Sequence, residues 1–201
     1  AKANQQLGGV GCVGRSYSGR DDHRQEDRDH LMSENRRPAA AMKISAALVA
    51  AWIAFEGFTP APVIPTKGDV PTIGHGSTQY EDGTRVTMAD KPITRQRAKE
   101  LATNLLEQEY GTCVRETLGE TPVNETEFSV AVDFAGQYGC ATWGKSSILR
   151  DTKAENYEAA CTDYLRYRFA AGYDCSTPGN TRCSGVWTRQ LARYNKCMGA
   201  L

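Results

Sequence analysis

Three polar residues suited to acid–base chemistry fall close together in this sequence: Glu56, Asp69 and Thr72. Glu56 follows an apolar helical pattern, so we expect its carboxyl group to lose part of its hydration, which favours the protonated form. Such a group can donate a proton near neutral pH. Asp69 adds a carboxylate, and Thr72 adds a hydroxyl that can orient water. Glycoside hydrolysis requires an acid on one side of the bond and a carboxylate or positioned water on the other.

The elements that would position these residues can be predicted from residue spacing. Apolar residues recur at three- and four-residue intervals before Glu56, as in a helix, and Gly57 can end it. These residues are Ile44, Leu48, Val49, Trp52 and Phe55. The prolines that follow exclude a helix. The residue pattern of segments 70–73 and 79–86 predicts short strands around a GHGS turn. Since later segments are mostly helical in pattern, we predict an α+β fold, with the first helix and a small antiparallel sheet packed beside a helical lobe.

Composition limits the classes of function and of partner. The chain has 201 residues, enough for one core and hardly for two. Its 24 basic and 24 acidic residues argue against a nucleic-acid partner held by a basic face. No Cys-x2-Cys pair occurs, and the three histidines stand far from the cysteines. We therefore expect neither a metal site nor a metal cofactor.

The cysteines predict disulfides and an oxidising compartment. Six of the seven fall between residues 113 and 197, and six buried thiols are the alternative interpretation. Cys175 and Cys183 flank the turn-forming sequence STPGN, so we expect them to pair. The other four allow three pairings, among which the sequence does not choose.

The N-terminal part differs from the rest. Residues 1–37 are rich in glycine and mixed charge and poor in large apolar residues, which predicts a disordered tail or a non-native extension. Residues 39–55 are alanine-rich and apolar after two arginines. They fit an ordinary helix with a broad buried face, or a weak export signal that serves as a transient membrane anchor. No run is long and apolar enough to predict an ordinary transmembrane helix.

A resemblance to a known family rests on several motifs. Glu56-Gly57 at a helix end, followed by Thr72-Ile73-Gly74-x-Gly76, resembles the phage-type lysozymes of glycoside hydrolase family 24. The segment ITRQRAKELATNLL resembles the family's next helix, and NETEFSVAVDFAGQYG resembles its central helix. The resemblance covers roughly residues 43–198, and it implies that residues 38–201 form a lysozyme-like catalytic domain.

The resemblance also implies roles for individual residues. Glu56 would be the general acid, and Thr72 would hold the attacking water or contact the sugar. The family places its aspartate nine residues after this glutamate, where the present chain has Pro65. Asp69 is the only carboxylate between Glu56 and Thr72. It therefore either replaces the family's aspartate from a shifted loop or only makes the turn into the strand.

Further positions are candidates for substrate contact. His75 lies between two glycines beside the expected cleft, and Gln137-Tyr138 matches the cleft-facing end of the family's central helix. We expect these side chains to bind saccharide, although each residue type more often serves packing or hydrogen bonding.

The function implied is that of an endolysin, a phage-encoded muramidase that cleaves the β-1,4 bond between N-acetylmuramic acid and N-acetylglucosamine in peptidoglycan. It would work in the host periplasm or cell wall for host lysis, as a monomer, without cofactor. One alternative is a lytic transglycosylase that uses Glu56 alone. Another is a non-catalytic peptidoglycan-binding module, and a cysteine peptidase is disfavoured because disulfide-bonded cysteines are not nucleophiles.

Overall fold

The computed structural model describes residues 35–201, so most of the predicted N-terminal tail, together with Cys12, lies outside the described residues. The end of that segment belongs to the folded domain. Arg36 donates from Nη2 to Oε1 of Glu127 at 2.6 Å. Strand β1 (Arg37–Pro38) pairs antiparallel with β4 (Pro122–Val123).

The first long helix carries the predicted acid, Glu56, as its last residue. Helix α1 spans Ala46–Glu56, and the hydroxyl of Ser45 caps it by accepting from the Leu48 N–H at 3.1 Å. Gly57, at φ 72°, ends it. The apolar stretch 39–55 is not one helix, because a separate 3-10 turn covers Ala39–Ala41. No helix among residues 35–201 has the length and apolar character needed to cross a bilayer.

The small sheet differs in detail from the prediction. Strand β2 (Thr59–Val63) pairs antiparallel with β3 (Thr72–Gly74). β2 was not predicted, since it contains two prolines. It tolerates them because it has a single neighbour, and an unpaired edge needs no N–H donors. Segment 79–86 is not a continuous strand: it forms only an isolated bridge between Gln79 and Arg85.

The remaining elements form the helical lobe, and the α+β prediction is confirmed. A π-helical turn, Leu106–Gly111, joins the first two helices of this lobe. The helices are α2 (Arg95–Leu105), α3 (Thr112–Leu118), α4 (Glu125–Tyr138), α5 (Cys140–Trp143), α6 (Ser147–Lys153), α7 (Tyr157–Asp163) and α8 (Ser184–Met198). A hairpin of β5 (Phe169–Ala170) and β6 (Tyr173–Asp174) precedes α8.

Helix α4 is the centre of the lobe. Asn124 and Glu127 form a capping box at its N-terminus, in which the side chain of each residue accepts from the backbone N–H of the other. Phe134 of this helix is fully buried and packs edge-on against Trp143 and Tyr164. This aromatic core fixes the helix whose last turns face the candidate site.

Disulfides fasten the helices to one another. Cys113–Cys140 joins α3 to α5, and Cys161–Cys197 joins α7 to α8. Cys175–Cys183 closes the loop before α8, which is the pair expected from the sequence. All six cysteines between residues 113 and 197 are therefore paired.

Candidate active site

Glu56 stands where the chain leaves α1 and turns into the small sheet. Its side chain is 30% exposed, so the carboxylate is accessible to a ligand. Gly57 permits the sharp exit because its φ of 72° is strained for residues with a side chain. In the tight turn that follows β3, a Cβ added to Gly76 would lie 3.9 Å from Oε2 of Glu56. The glycine therefore brings bare backbone next to one carboxylate oxygen.

The other oxygen of Glu56 is held by the last helix. Arg189 of α8 donates from Nη1 to Oε1 of Glu56 at 3.0 Å and from Nη2 to Oδ1 of Asp133 at 2.8 Å. Arg193 donates from Nε to the second oxygen of Asp133 at 2.6 Å. Three elements, α1, α4 and α8, thus meet through one guanidinium. This arrangement fixes the rotamer of Glu56 before any substrate arrives.

The charges in this cluster are balanced and mostly buried. The side chain of Arg189 is 10% exposed and that of Asp133 is 14% exposed. Burial alone would raise the pKa of Asp133, but Arg193 and Arg189 outweigh it and hold this pKa below its ordinary value. Burial alone would lower the pKa of Arg189, but Asp133 and Glu56 outweigh it and raise this pKa. The ionised forms of Asp133 and Arg189 therefore stabilise each other.

His75 is buried beside Glu56. Its Nδ1 forms a hydrogen bond with the carbonyl oxygen of Gly57, and since a carbonyl only accepts, Nδ1 carries the proton. The ring also lies 5.7 Å from that of Phe58, centroid to centroid. His75 thus ties β3 to the end of α1 immediately after Glu56.

Thr72 and Asp69 lie further along the hairpin. Thr72 is half-buried at the start of β3, and its hydroxyl donates to the Val63 carbonyl at 3.4 Å. Asp69 is exposed in the loop that joins the strands, where its N–H donates to the Thr66 carbonyl at 2.9 Å. The pairing of Thr59 with Gly74 marks the hairpin end next to Glu56. Asp69 therefore lies beyond the opposite end.

Gln137 and Tyr138, at the C-terminus of α4, belong to the hydrogen-bond network behind Glu56. Oε1 of Gln137 accepts from Nη1 of Arg193 at 2.7 Å. The Tyr138 hydroxyl accepts from Nε2 of Gln190 at 2.8 Å and donates to the Tyr167 carbonyl at 3.0 Å. The structure thus connects both candidates to the Arg193–Asp133–Arg189 cluster.

Asp133, Arg189 and Arg193 were not assigned a role from the sequence. Each appears as one charged residue in an amphipathic helix, a position that usually faces solvent. The available signal was that Arg189 and Arg193 are spaced by four residues, which places both on one face of α8. Among residues 35–201 no group of His, Cys, Asp and Glu could hold a metal ion.

An oriented and accessible carboxyl group beside a glycine-containing turn can protonate a leaving oxygen. The model of the phage lysozyme family matches residues 53–195 of this chain. A search of curated protein sequences found no match.

Solved structures share this fold at identities of 19–22%. A mutant of P22 lysozyme is 22% identical with a TM-score of 0.64, covering 78% of this chain and 99% of that chain. The endolysin of Escherichia coli O157:H7 phage FAHEc1 is 19% identical with a TM-score of 0.63, covering 80% and 96%. The muramidase domain of SpmX from Asticaccaulis excentricus is 20% identical with a TM-score of 0.61, covering 78% and 97%. Since the family match spans most of the chain, the protein belongs to the phage lysozyme family.

Proposed function

We propose that this lysozyme uses Glu56 as the general acid when it cleaves the β-1,4 bond between N-acetylmuramic acid and N-acetylglucosamine. Family membership makes the protein a glycoside hydrolase that acts on bacterial peptidoglycan. The observation that carries the assignment of Glu56 is its placement: one carboxylate oxygen is anchored by Arg189, and the other faces Gly76. An anchored acid that remains accessible can protonate the leaving glycosidic oxygen.

We propose that Asp69 and Thr72 act on the side of the scissile bond opposite Glu56, Asp69 as the second carboxylate and Thr72 as the residue that holds water or a sugar hydroxyl. Asp69 is exposed and forms no ion pair with any residue between 35 and 201, so its carboxylate is available to a substrate. Thr72 carries a hydroxyl on the strand that runs towards Glu56, where it can hold water or a sugar hydroxyl. The competing proposal is a lytic transglycosylase that needs Glu56 alone. It is supported by the location of Asp69 beyond the far end of the hairpin.

We further propose that His75, Gln137 and Tyr138 support substrate binding. Gln137 and Tyr138 end the helix that carries Asp133, and His75 holds the end of β3 to Gly57. If they contact saccharide, alanine substitutions should weaken substrate affinity more than turnover. If they act only by supporting the fold, the melting temperature should fall instead.

The enzyme acts on the cell wall, and we propose that it is exported to the host periplasm as part of host lysis. Its disulfides support this, because such bonds persist in oxidising compartments. We also propose that residues 39–55 serve as a transient anchor before release, since α1 is apolar and keeps exposed residues such as Phe55. Cell fractionation that finds only soluble protein, with no membrane-bound precursor, would exclude the anchor. Light scattering should show a monomer.

The decisive experiment is mass spectrometry of muropeptides released from purified peptidoglycan. Wild-type protein should release products with reducing ends, and Glu56→Gln should release none. If Asp69→Asn also releases none, the second carboxylate is Asp69. Anhydro-muramyl products, or full activity of Asp69→Asn, would instead favour the transglycosylase. A non-catalytic binding module would retain peptidoglycan binding and give no products from any variant.

A further inference from the structure

A second concave surface lies between β6 and the loop that leads into α8. It is a cavity of about 400 Å³ lined by Tyr173, Asp174 and residues 177–182. This volume lies within the usual range for small-molecule sites. The Cys175–Cys183 disulfide closes the loop, so the cavity is formed by a segment with little conformational freedom.

The side chain of Asn180 holds this loop against β6. Its Oδ1 accepts from the N–H groups of Arg182 at 2.8 Å and of Cys183 at 3.1 Å. Its Nδ2 donates to the carbonyl oxygen of Asp174 at 3.0 Å. Since hydrogen bonds within the loop already fix the cavity wall, a ligand would pay little to order it.

Several hydrogen-bond donors on the cavity wall are unused within the part of the chain that the structure describes. They are the backbone N–H groups of Gly179 and Thr181 and the hydroxyl groups of Thr177 and Thr181. All three residues are exposed, so a ligand can reach these donors. Backbone N–H groups in a turn form a favourable environment for an anion.

Arg182 adds a cation that is already oriented. Its Nη1 donates to the hydroxyl of Tyr173 at 2.6 Å, and its Cζ lies 4.7 Å from the centroid of that ring. Among residues 35–201, no carboxylate forms an ion pair with Arg182. The remaining N–H groups of its guanidinium can therefore bind two oxygens of an anionic ligand.

The carboxylate that lines the cavity, Asp174, is already satisfied. Its Oδ1 accepts from the hydroxyl of Ser176 at 2.6 Å and from the Ser176 N–H at 2.9 Å. Its Oδ2 lies 3.2 Å from Nε of Arg168. Because Arg168 compensates Asp174, the charge of Arg182 leaves this region with a net positive charge that favours anions.

The types of the free donors suit a phosphate group. Arginine, threonine hydroxyls and backbone N–H groups are common donors to phosphate oxygens. A phosphate group offers more acceptor oxygens than a carboxylate, so it can use all three kinds of donor together. The hairpin also exposes 57% of Phe169 and 46% of Tyr173. Aromatic side chains are frequent at the headgroup level of membranes, which favours a lipid headgroup as the source of the phosphate.

We propose that this cavity binds a phosphate group, that of an anionic lipid headgroup or free phosphate, through Arg182 and the donors of residues 177–181. The proposal does not depend on Glu56 or on the reaction that it performs. A lipid bound here would hold the enzyme at an anionic membrane surface without insertion of a helix.

The test is binding of the full chain to two probes. Co-sedimentation measures binding to vesicles of phosphatidylglycerol, with phosphatidylcholine vesicles as the reference, and calorimetry measures binding of inorganic phosphate. Arg182→Gln should weaken the binding of whichever probe binds by about tenfold, because hydrogen bonds to a charged group are lost. Thr181→Val, which removes a hydroxyl group and no charge, should weaken binding by a smaller factor.

Arg150→Gln is the matched control, because it removes the same charge from an exposed position outside the cavity. It should bind both probes as wild type does. A preference for phosphatidylglycerol vesicles without binding of free phosphate would identify a lipid headgroup, and binding of inorganic phosphate would identify free phosphate. The proposal is overturned if wild type binds neither probe, or if Arg182→Gln binds them as Arg150→Gln does.

Discussion

Arg189 binds Glu56 at 3.0 Å, although the two residues are 133 positions apart in the chain. The same guanidinium also binds Asp133 at 2.8 Å. The candidate acid is therefore oriented from the opposite end of the sequence, through a buried carboxylate on the central helix. Local residues alone do not determine the geometry of Glu56.

Arg189→Lys should lower kcat on purified peptidoglycan by about 10- to 100-fold, with a smaller effect on KM. An ammonium group lacks the planar fork that binds two carboxylates at once, so the carboxyl group of Glu56 is displaced. Arg150→Lys is the control, because Arg150 is exposed and pairs with Asp151 rather than with the cluster. A wild-type rate for Arg189→Lys would show that the ion pair does not position the acid.

Asp133→Asn should destabilise the protein by about 3–5 kcal/mol, because it removes the carboxylate that the buried Arg189 and Arg193 share. Since the folded state lowers the pKa of Asp133, its stabilisation is present above the unfolded pKa of about 3.9 and is lost as the pH falls through the folded pKa. Melting temperatures recorded from pH 7 downwards should therefore fall more steeply below about pH 4 for wild type than for the variant. Glu116→Gln, at an exposed position, should preserve the wild-type slope.

Gly136→Ala should destabilise the protein by about 1–3 kcal/mol, lowering the melting temperature by about 2–12 °C. An added Cβ would lie 2.4 Å from Trp52, whose ring packs against α4 one helical turn before Glu56. Gly185→Ala is the matched control because no atom lies within 4 Å of its added Cβ. It should be neutral or stabilising, as expected for alanine in a helix. Equal stability of the two variants would contradict this packing argument.

The sequence was informative where a local pattern determines structure. Ser45 caps the N-terminus of α1 and Gly57 ends the helix, as their residue types indicate. Asn124 caps the N-terminus of α4. It was not informative where tertiary contacts decide. The helix of segment ITRQRAKELATNLL continues beyond it through a π-helical turn. At the end of this turn Gly111 is packed too closely for a side chain, since an added Cβ would lie 2.8 Å from the Leu106 carbonyl oxygen.

The same distinction between local pattern and tertiary contact applies to the residues of the candidate site. Glu56 could be identified because it is followed by glycine at the end of an apolar helix. The partners that orient it could not, since no spacing rule connects α1 with α4 and α8. The edge strand β2 was missed because its prolines suggest a loop, and only its pairing with β3 shows that a strand can accept them.

Removal of Cys161–Cys197 should cost more stability than removal of Cys175–Cys183. The first pair closes 36 residues and the second closes 8, so chain entropy alone predicts a difference of about 1 kcal/mol. The first pair is also buried between α7 and α8, so its replacement by alanine removes packing from the core. Urea denaturation of the two double-alanine variants measures the difference. If the short-loop variant proves the less stable, the 175–183 loop supports the base of α8 more than its contacts indicate.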